Sequence, residues 1–260
     1  MSALTGTNFE AQFAALIFAM LRIGAAFMVA PVFSAVGLPL IVRIGLSAAI
    51  GFIVIGSAGA TAPADPLSPA ALVFAFQEIA LGLAMGLILQ VAFAAPLVAG
   101  DYIANSMGLG FASMVNPQMG VNSPVLAQFL MIFTVLVFLG VDGHLILIQA
   151  LVDSYVVLPI MGDWLTPQLG YDVAMFGSIM FRAGLMIALP VGFALFAINI
   201  VIGFMTRSAP QLNIFAIGLP ITLLSGTALL AILFPGMASM FEDVVGEGLD
   251  AVQALSNGRL

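Results

Sequence analysis

The sequence contains no cysteine, no lysine and few charges of either sign. Charged residues make up 7% of its 260 residues, against about 25% in an ordinary globular domain. The absence of cysteine excludes disulfides, thiolate metal sites and cysteine nucleophiles. A single histidine, His144, excludes metal motifs that need a histidine pair. Because the five cations are scattered arginines, there is no basic patch that could bind nucleic acid.

Apolar residues, by contrast, are abundant. They make up 63% of the chain, against about 45–50% in a soluble domain, and the remaining side chains could not form a charged surface for a protein of this size. Intrinsic disorder is excluded as well, because it requires low hydrophobicity. The sequence therefore predicts an all-α, polytopic helical membrane protein.

Proline-rich and glycine-rich breaks divide the chain into six hydrophobic stretches. These lie at about Ala11–Val32, Leu40–Ala60, Ala70–Ala99, Val125–Ala150, Val173–Met205 and Leu212–Pro235. Some of them exceed the roughly 20 helical residues that cross a bilayer core. The stretches containing Pro96 and Pro190 are each either one long kinked helix or two shorter pieces. The spacing of Gly82 and Gly86 predicts a close helix–helix contact.

No linker is long or polar enough to separate domains. The sequence therefore predicts one membrane domain over 1–260, with a polar tail at 241–260. If there are six spans, Arg43 and Arg207 lie in loops on one side, and Arg259 lies on the other. Because arginine is enriched in cytoplasmic loops, the two-to-one majority indicates that Arg43 and Arg207 face the cytoplasm.

Arg22 lies near the middle of the first hydrophobic stretch. Inserting arginine there costs about 2.5–3.5 kcal/mol, whereas a leucine-like neighbour returns only about 0.3–0.6 kcal/mol. Arg22 is therefore expected to face a carboxylate or a water-filled space. The same expectation applies to Arg182, which lies inside the fifth stretch. The candidate partners are Glu78, Asp101, Asp142 and Asp153. The residues predicted to form buried ionic or structural sites are Arg22, Glu78, Asp101, Asp142, His144 and Arg182.

Asp142 and His144 flank a glycine within the fourth stretch. They could form a proton-relay pair, but a relay needs further titrating groups along a path. A helix-breaking turn, in which both side chains bond nearby backbone groups, is therefore favoured. Ser106, His144 and Asp142 are the residue types of a catalytic triad, but the sequence around Ser106 is not that of a nucleophile elbow. There is no phosphate-binding loop either, so the sequence predicts no enzymatic activity and no cofactor.

The region from Gly100 to Phe129 is the least regular part of the chain. It is too rich in Gly, Asn and Pro to continue a lipid-facing helix, yet too apolar for a free loop. Non-helical backbone is tolerated at membrane depth only where protein buries it or a cavity hydrates it. The residues alone favour an interfacial loop over one that closes an opening, although flexible methionines would suit the second role.

Three segments resemble the FliR family of flagellar type III export-gate proteins. The first, beginning at Arg22, is RIGAAFMVAPVFSAVGLPLIVRIGLSAAI. The second runs from Glu78 to Pro159 and contains MGLGFAS, SPVLAQF and DGHL. The third begins with FRAGLMIALPVGFALFAINIVIGFMTRSAPQLNIFAIGLPI. In order, these segments cover nearly the whole chain.

The resemblance implies a non-enzymatic gate subunit in the bacterial inner membrane, at the flagellar basal body. With FliP-like and FliQ-like proteins it would form a closed pore for unfolded flagellar proteins. It also implies long kinked helical hairpins, with a FliP-like portion over 1–205 fused to a FliQ-like hairpin over about 175–240.

Two sets of site residues follow from the same resemblance. A loop that plugs the pore would comprise Met107, Gly108, Leu109, Gly110, Phe111, Met114, Asn116, Pro117 and Met119. This replaces the interfacial-loop interpretation. The segment RSAPQLNIFAIGLP resembles a cytoplasmic turn that contacts an FlhB-like protein, through Arg207, Gln211 and Asn213.

Two alternatives remain open at this point. Injectisome export proteins share the implied architecture, although the surroundings of Pro117 and Ser123 favour the flagellar system. A secondary transporter, in which Arg22, Glu78 and Asp142 bind a small solute or proton, is the alternative from another functional class.

Overall fold

A computed structural model describes residues 6–35, 37–59, 61–110, 125–162, 164–208 and 214–259. Regular structure in these ranges is entirely α-helical, so the predicted all-α class is confirmed. The helices are α1 (Gly6–Val29), α2 (Leu40–Ala58), α3 (Pro69–Ser106), α4 (Val125–Gly140), α5 (Gly143–Val157), α6 (Pro167–Phe176), α7 (Ser178–Ser208) and α8 (Ile214–Ser256).

Within these ranges, five helical segments are long and apolar enough to cross a membrane, or six if α4 and α5 form one interrupted span. The prolines in the long stretches do not divide them, because α3 continues through Pro96 and α7 through Pro190. The stretch Ala70–Ala99 is therefore part of one helix, α3, whereas Val173–Met205 is interrupted at Gly177, between α6 and α7, and not at Pro190.

Helix ends follow local chemistry where the caps are described. α2 follows Pro39 and is capped after Ala58 by Gly59, whose φ of +62° favours glycine. α6 begins after Thr166, whose side chain accepts a hydrogen bond from the Leu169 N–H at 3.3 Å, and Pro167 occupies its first turn.

Three helix boundaries differ from the predicted stretches. α3 continues to Ser106, although the sequence predicts irregular structure from Gly100, because its last turns bury Ile103 and Ala104. The fourth stretch is interrupted at Asp142, whose φ is +56°. The sixth continues beyond Pro235 to Ser256, because the apolar face of α8 continues through the polar tail.

The helices form two compact units. The first comprises Met1–Val91, Phe138–Gly177 and Gly246–Leu260. Its fully buried side chains include Phe27, Leu81, Leu89 and Phe138, together with two charged residues, Arg22 and Glu78. A charge in this position needs a partner, and Arg22 is therefore the starting point for the site.

The second unit comprises Ala92–Val137 and Ser178–Val245. The ring of Phe133 makes edge-on contacts with Phe234 and Phe241, at centroid distances of 4.7 and 5.2 Å. α3 and α7 approach closely, because a Cβ added to Gly184 would lie 2.9 Å from the Ala95 carbonyl oxygen. The core of this unit also contains Met107.

Candidate functional site

The first candidate site surrounds Arg22 on α1, whose side chain is 0% exposed. Its Nε donates to Glu78 Oε2 at 2.8 Å, and its Nη2 donates to Oε1 at 2.9 Å. The carboxylate, on α3, is also 0% exposed. This bidentate geometry is the strongest form of an arginine–carboxylate pair. It also neutralises two charges that would each be costly to bury alone.

The remaining guanidinium donors bind the end of α5. Nη1 donates to Ser154 Oγ at 2.8 Å, and Nη2 donates to the Leu158 carbonyl oxygen at 2.7 Å. The last carbonyls of a helix lack partners within the helix, and a cation there also interacts favourably with the helix dipole. Arg22 therefore joins α1, α3 and α5 at one point.

Two aromatic side chains complete this enclosure. The Arg22 Cζ lies 3.9 Å from the ring centroid of Tyr155 and 5.7 Å from that of Trp164, both within the range of a cation–π contact. The Tyr155 hydroxyl donates to the Ala19 carbonyl oxygen at 2.8 Å. We refer to Arg22, Glu78, Ser154, Tyr155 and Trp164 as the Arg22 cluster.

Two glycines allow α1 and α3 to approach this closely. A Cβ added to Gly82 would overlap the Arg22 carbonyl oxygen, and one added to Gly86 would lie 2.7 Å from the Ala26 carbonyl oxygen. The predicted close contact of this glycine pair is therefore confirmed. It brings Glu78, one turn before Gly82, within reach of Arg22.

The Arg22 cluster is suited to holding helices together rather than to binding a solute. Both members of the ion pair are buried, and four guanidinium hydrogen bonds go to protein groups. A transport site needs a charge that is open to its solute, and this pair offers none. Among the described residues, no group of three or more His, Asp or Glu side chains could hold a metal ion.

The other residues predicted to be buried and ionic have different surroundings. Asp142 and Arg182 are exposed, which corrects the prediction that they are buried. Asp142 lies at the break between α4 and α5, and Arg182 lies on the face of α7 opposite Ala183 and Gly184, which are buried.

Asp101 and His144 are partly buried. Asp101 Oδ1 and His144 Nδ1 are enclosed without a hydrogen-bond partner among the described residues. The helix break predicted at Asp142–His144 is present, but Asp142 makes no side-chain cap.

The second candidate site is the loop base, Met107–Gly110, which follows the last residue of α3. The Gly108 N–H donates to the Asn105 carbonyl oxygen at 3.0 Å, and the Leu109 N–H donates to that of Ala104 at 3.0 Å. With Gly108 at a φ of +83°, these bonds form a Schellman motif, in which the left-handed position favours glycine.

Side chains on α7 and α8 donate hydrogen bonds to the two carbonyls, of Ser106 and Met107, that the Schellman motif does not bond. Asn199 Nδ2 on α7 donates to the Ser106 carbonyl oxygen at 3.4 Å. Thr222 Oγ1 on α8 donates to the buried Met107 carbonyl oxygen at 3.0 Å. Because Ile103 accepts from the Met107 N–H, every carbonyl from Ile103 to Met107 has a partner.

The Met107 side chain occupies a notch on α8. It is 4% exposed, and a Cβ added to Gly226 would lie 2.5 Å from Met107 Cγ and 2.9 Å from its Sδ and Cε. Gly226 thus provides the space in which Met107 lies. The loop base is anchored on α8 by both its backbone and a side chain.

The predicted plug and partner-contact residues are only partly covered. Met107, Gly108, Leu109 and Gly110 form the loop base, and Arg207 is exposed in the last turn of α7. The others lie outside the described residues: Phe111, Met114, Asn116, Pro117, Met119, Gln211 and Asn213.

The sequence did not predict the roles of Ser154, Tyr155, Trp164, Asn199, Thr222 and Gly226 in these two sites. A usable signal existed for the aromatic pair, since the chain has one tryptophan and three tyrosines and their polar atoms need partners when buried. No local signal distinguishes Thr222 or Gly226, because their role depends on what lies opposite them.

Comparison with known proteins yields consistent matches. The chain matches the family described as bacterial export proteins, family 1, over residues 13–248. It is 40% identical over 228 residues to the flagellar biosynthetic protein FliR of Escherichia coli (strain K12), covering 88% of this chain and 87% of that protein. The FliR of Pectobacterium carotovorum subsp. carotovorum is 38% identical over 249 residues, with 94% and 92% coverage. That of Bacillus subtilis (strain 168) is 30% identical over 214 residues, with 80% and 82% coverage.

Proposed function

Because the chain belongs to family 1 of the bacterial export proteins, as a FliR-like, membrane-embedded component of flagellar export, we propose that it is a non-enzymatic subunit of the flagellar type III export gate. It assembles with FliP-like and FliQ-like proteins around a pore in the bacterial inner membrane, at the flagellar basal body. Unfolded flagellar proteins pass through this pore. Arg207, Gln211 and Asn213 contact an FlhB-like protein on the cytoplasmic side.

The observation that carries this proposal is the family match over most of the chain, residues 13–248. The exposed surface of the α7–α8 hairpin supports assembly with other helical proteins. In the most apolar part of α8, 17% of residues are buried within the chain, against 56% in α3. α7 likewise exposes Phe181, Leu185, Met186, Leu189, Phe193 and Phe196. In the gate, FliP-like and FliQ-like helices cover these faces.

The segment after α3 is the proposed plug. Residues 107–129 contain no Asp, Glu, Lys or Arg, so closing a pore with this segment buries no charge. The Schellman motif at its base supports the same role, because it keeps the segment attached to the end of α3 while the rest of the segment is displaced. Closure by this segment is steric and requires no chemistry from the chain.

Replacing residues 111–118 with an equal length of Gly and Ser tests the plug in cells that contain the complete gate. The change removes the apolar side chains and retains the loop base. We expect potassium ions to leak from these cells, while export of flagellar proteins continues in part. The control replaces 64–67, in the exposed segment between α2 and α3, in the same way. A leak equal to that of the control would contradict the plug.

Co-purification of the tagged chain from native membranes tests the assembly. Mass spectrometry should find FliP-like and FliQ-like proteins in one complex of defined native mass. Recovery of the chain only as a monomer or homo-oligomer would contradict its proposed role as a gate subunit and would favour the secondary-transporter hypothesis.

A further inference from the structure

The loop base depends on α8 for two interactions that its own helix cannot supply. The Schellman motif bonds the carbonyls of Ala104 and Asn105, but the Met107 carbonyl is bonded by Thr222 Oγ1 at 3.0 Å. The Met107 side chain lies against Gly226, one turn further along α8. Thr222 and Gly226 therefore present a hydrogen-bond donor and a notch on the same face of the helix.

The Thr222 hydroxyl also has a second acceptor. Its Oγ1 lies 3.0 Å from the Leu219 carbonyl oxygen, in the preceding turn of α8. A hydroxyl has one proton, so the two carbonyls compete for it. If the loop base leaves, the hydroxyl stays bonded within α8, and only the Met107 carbonyl has to find a new partner. Release of the base consequently leaves no buried donor unsatisfied.

We propose that Thr222 and Gly226 are positioning residues that hold the loop base on α8 while the gate is closed, and that the base separates from α8 when a substrate passes. This inference rests on the proposed plug function and adds the contact that controls it. A shift of α8 that moves Thr222 and Gly226 away from Met107 removes both anchors together. The α8 helix thereby biases the gate towards its open or closed state.

The hydrogen bond is tested first, in cells with the complete gate, by potassium leak at equal amounts of assembled complex. Thr222→Val keeps the shape of the side chain and removes the hydroxyl, and it should increase the leak about 2- to 10-fold, the effect of one buried hydrogen bond. Thr222→Ser retains the donor and should behave like the wild type. Thr61→Val is the control, because Thr61 is exposed in the segment between α2 and α3, outside the α7 and α8 surface that partner helices cover.

The notch is tested independently of the hydroxyl. Gly226→Val places methyl groups where Met107 lies, and should also increase the leak. Gly56→Val makes the same change on α2, at a position with no neighbouring atom within 4 Å, and it should leave the leak unchanged. If Thr222→Val and Gly226→Val leak no more than their controls, the inference is wrong.

A cross-link tests whether the base must separate during export. The chain has no cysteine of its own, so Met107→Cys/Gly226→Cys introduces a single defined pair, at positions where an added Gly226 Cβ would lie 2.5 Å from Met107 Cγ. Oxidation should reduce export of flagellar proteins in proportion to the cross-linked fraction, and reduction should restore it. Oxidised Met107→Cys alone is the control. Normal export by the cross-linked chain would overturn the inference.

The plug itself can fail separately. If replacement of residues 111–118 causes no leak, the proposed function of the loop is wrong, whatever the effect of Thr222. If that replacement leaks while Thr222→Val, Gly226→Val and the cross-linked chain all behave like their controls, the plug stands and its anchoring on α8 is refuted.

Discussion

Removing one member of the Arg22–Glu78 pair should destabilise the protein far more than removing both. In Glu78→Leu, the Arg22 guanidinium stays buried without its carboxylate. In Arg22→Met, the carboxylate stays buried without its guanidinium. Both groups are 0% exposed in the wild type, so each single change should cost about 3–5 kcal/mol.

The double variant Arg22→Met/Glu78→Leu buries no charge. It does lose the hydrogen bond from Arg22 to the Leu158 carbonyl. Leaving that buried acceptor without a partner should cost about 1–3 kcal/mol. The Ser154 hydroxyl keeps its bond to the Leu151 carbonyl oxygen at 2.7 Å. The two single changes should therefore sum to about 6–10 kcal/mol, against about 1–3 kcal/mol for the pair.

Trp164 provides the assay, because it is the only tryptophan in the chain and its ring lies 5.7 Å from the Arg22 Cζ. Its fluorescence can follow unfolding of the detergent-solubilised protein as sodium dodecyl sulfate is added. Asp153→Asn is the control, since Asp153 is an exposed acid next to Ser154, and it should change stability by less than about 0.5 kcal/mol. A double variant at least as unstable as either single variant would refute the reasoning.

Three further changes test the packing, with stability measured in the same unfolding assay. Tyr155→Phe removes the donor to the Ala19 carbonyl and should cost about 1–3 kcal/mol, whereas Tyr155→Leu should cost more because the cation–π contact is lost as well. Gly82→Leu should prevent normal packing of α1 on α3, while Gly56→Leu, with no neighbouring atom within 4 Å, should be tolerated. Gly108→Val should destabilise the loop base more than Gly108→Asn, because asparagine tolerates the φ of +83° better; equal effects would contradict the left-handed cap.

Much of the fold could be predicted because it depends on bulk composition and local chemistry. A chain with 63% apolar and 7% charged residues can satisfy its backbone in a bilayer as helices. The helix boundaries were less predictable. α3 continues past Gly100 because Ile103 and Ala104 are buried by residues from other parts of the chain, and the local sequence does not contain that information.

The candidate site divides in the same way. The cost of burying Arg22 predicts a carboxylate partner, but four acids were possible on sequence grounds. The pairing with Glu78 spans 56 residues, and the contact with Ser154 spans 132. The proposed plug was suggested by resemblance to a family and not by composition. The anchoring of its base by Thr222 spans 115 residues and has no local signature.

The sequence by itself determined that the protein is a helical membrane protein, that Arg22 needs a partner, and that Gly82 and Gly86 allow a close helix contact. Each of these follows from the energy of a residue or short segment in a bilayer, whatever its neighbours. Only the tertiary structure decided that Glu78 neutralises Arg22 and that Thr222 and Gly226 hold Met107. Hydrogen bonds and close packing require specific atoms within a few ångströms, and the fold alone brings together helices so far apart in the chain.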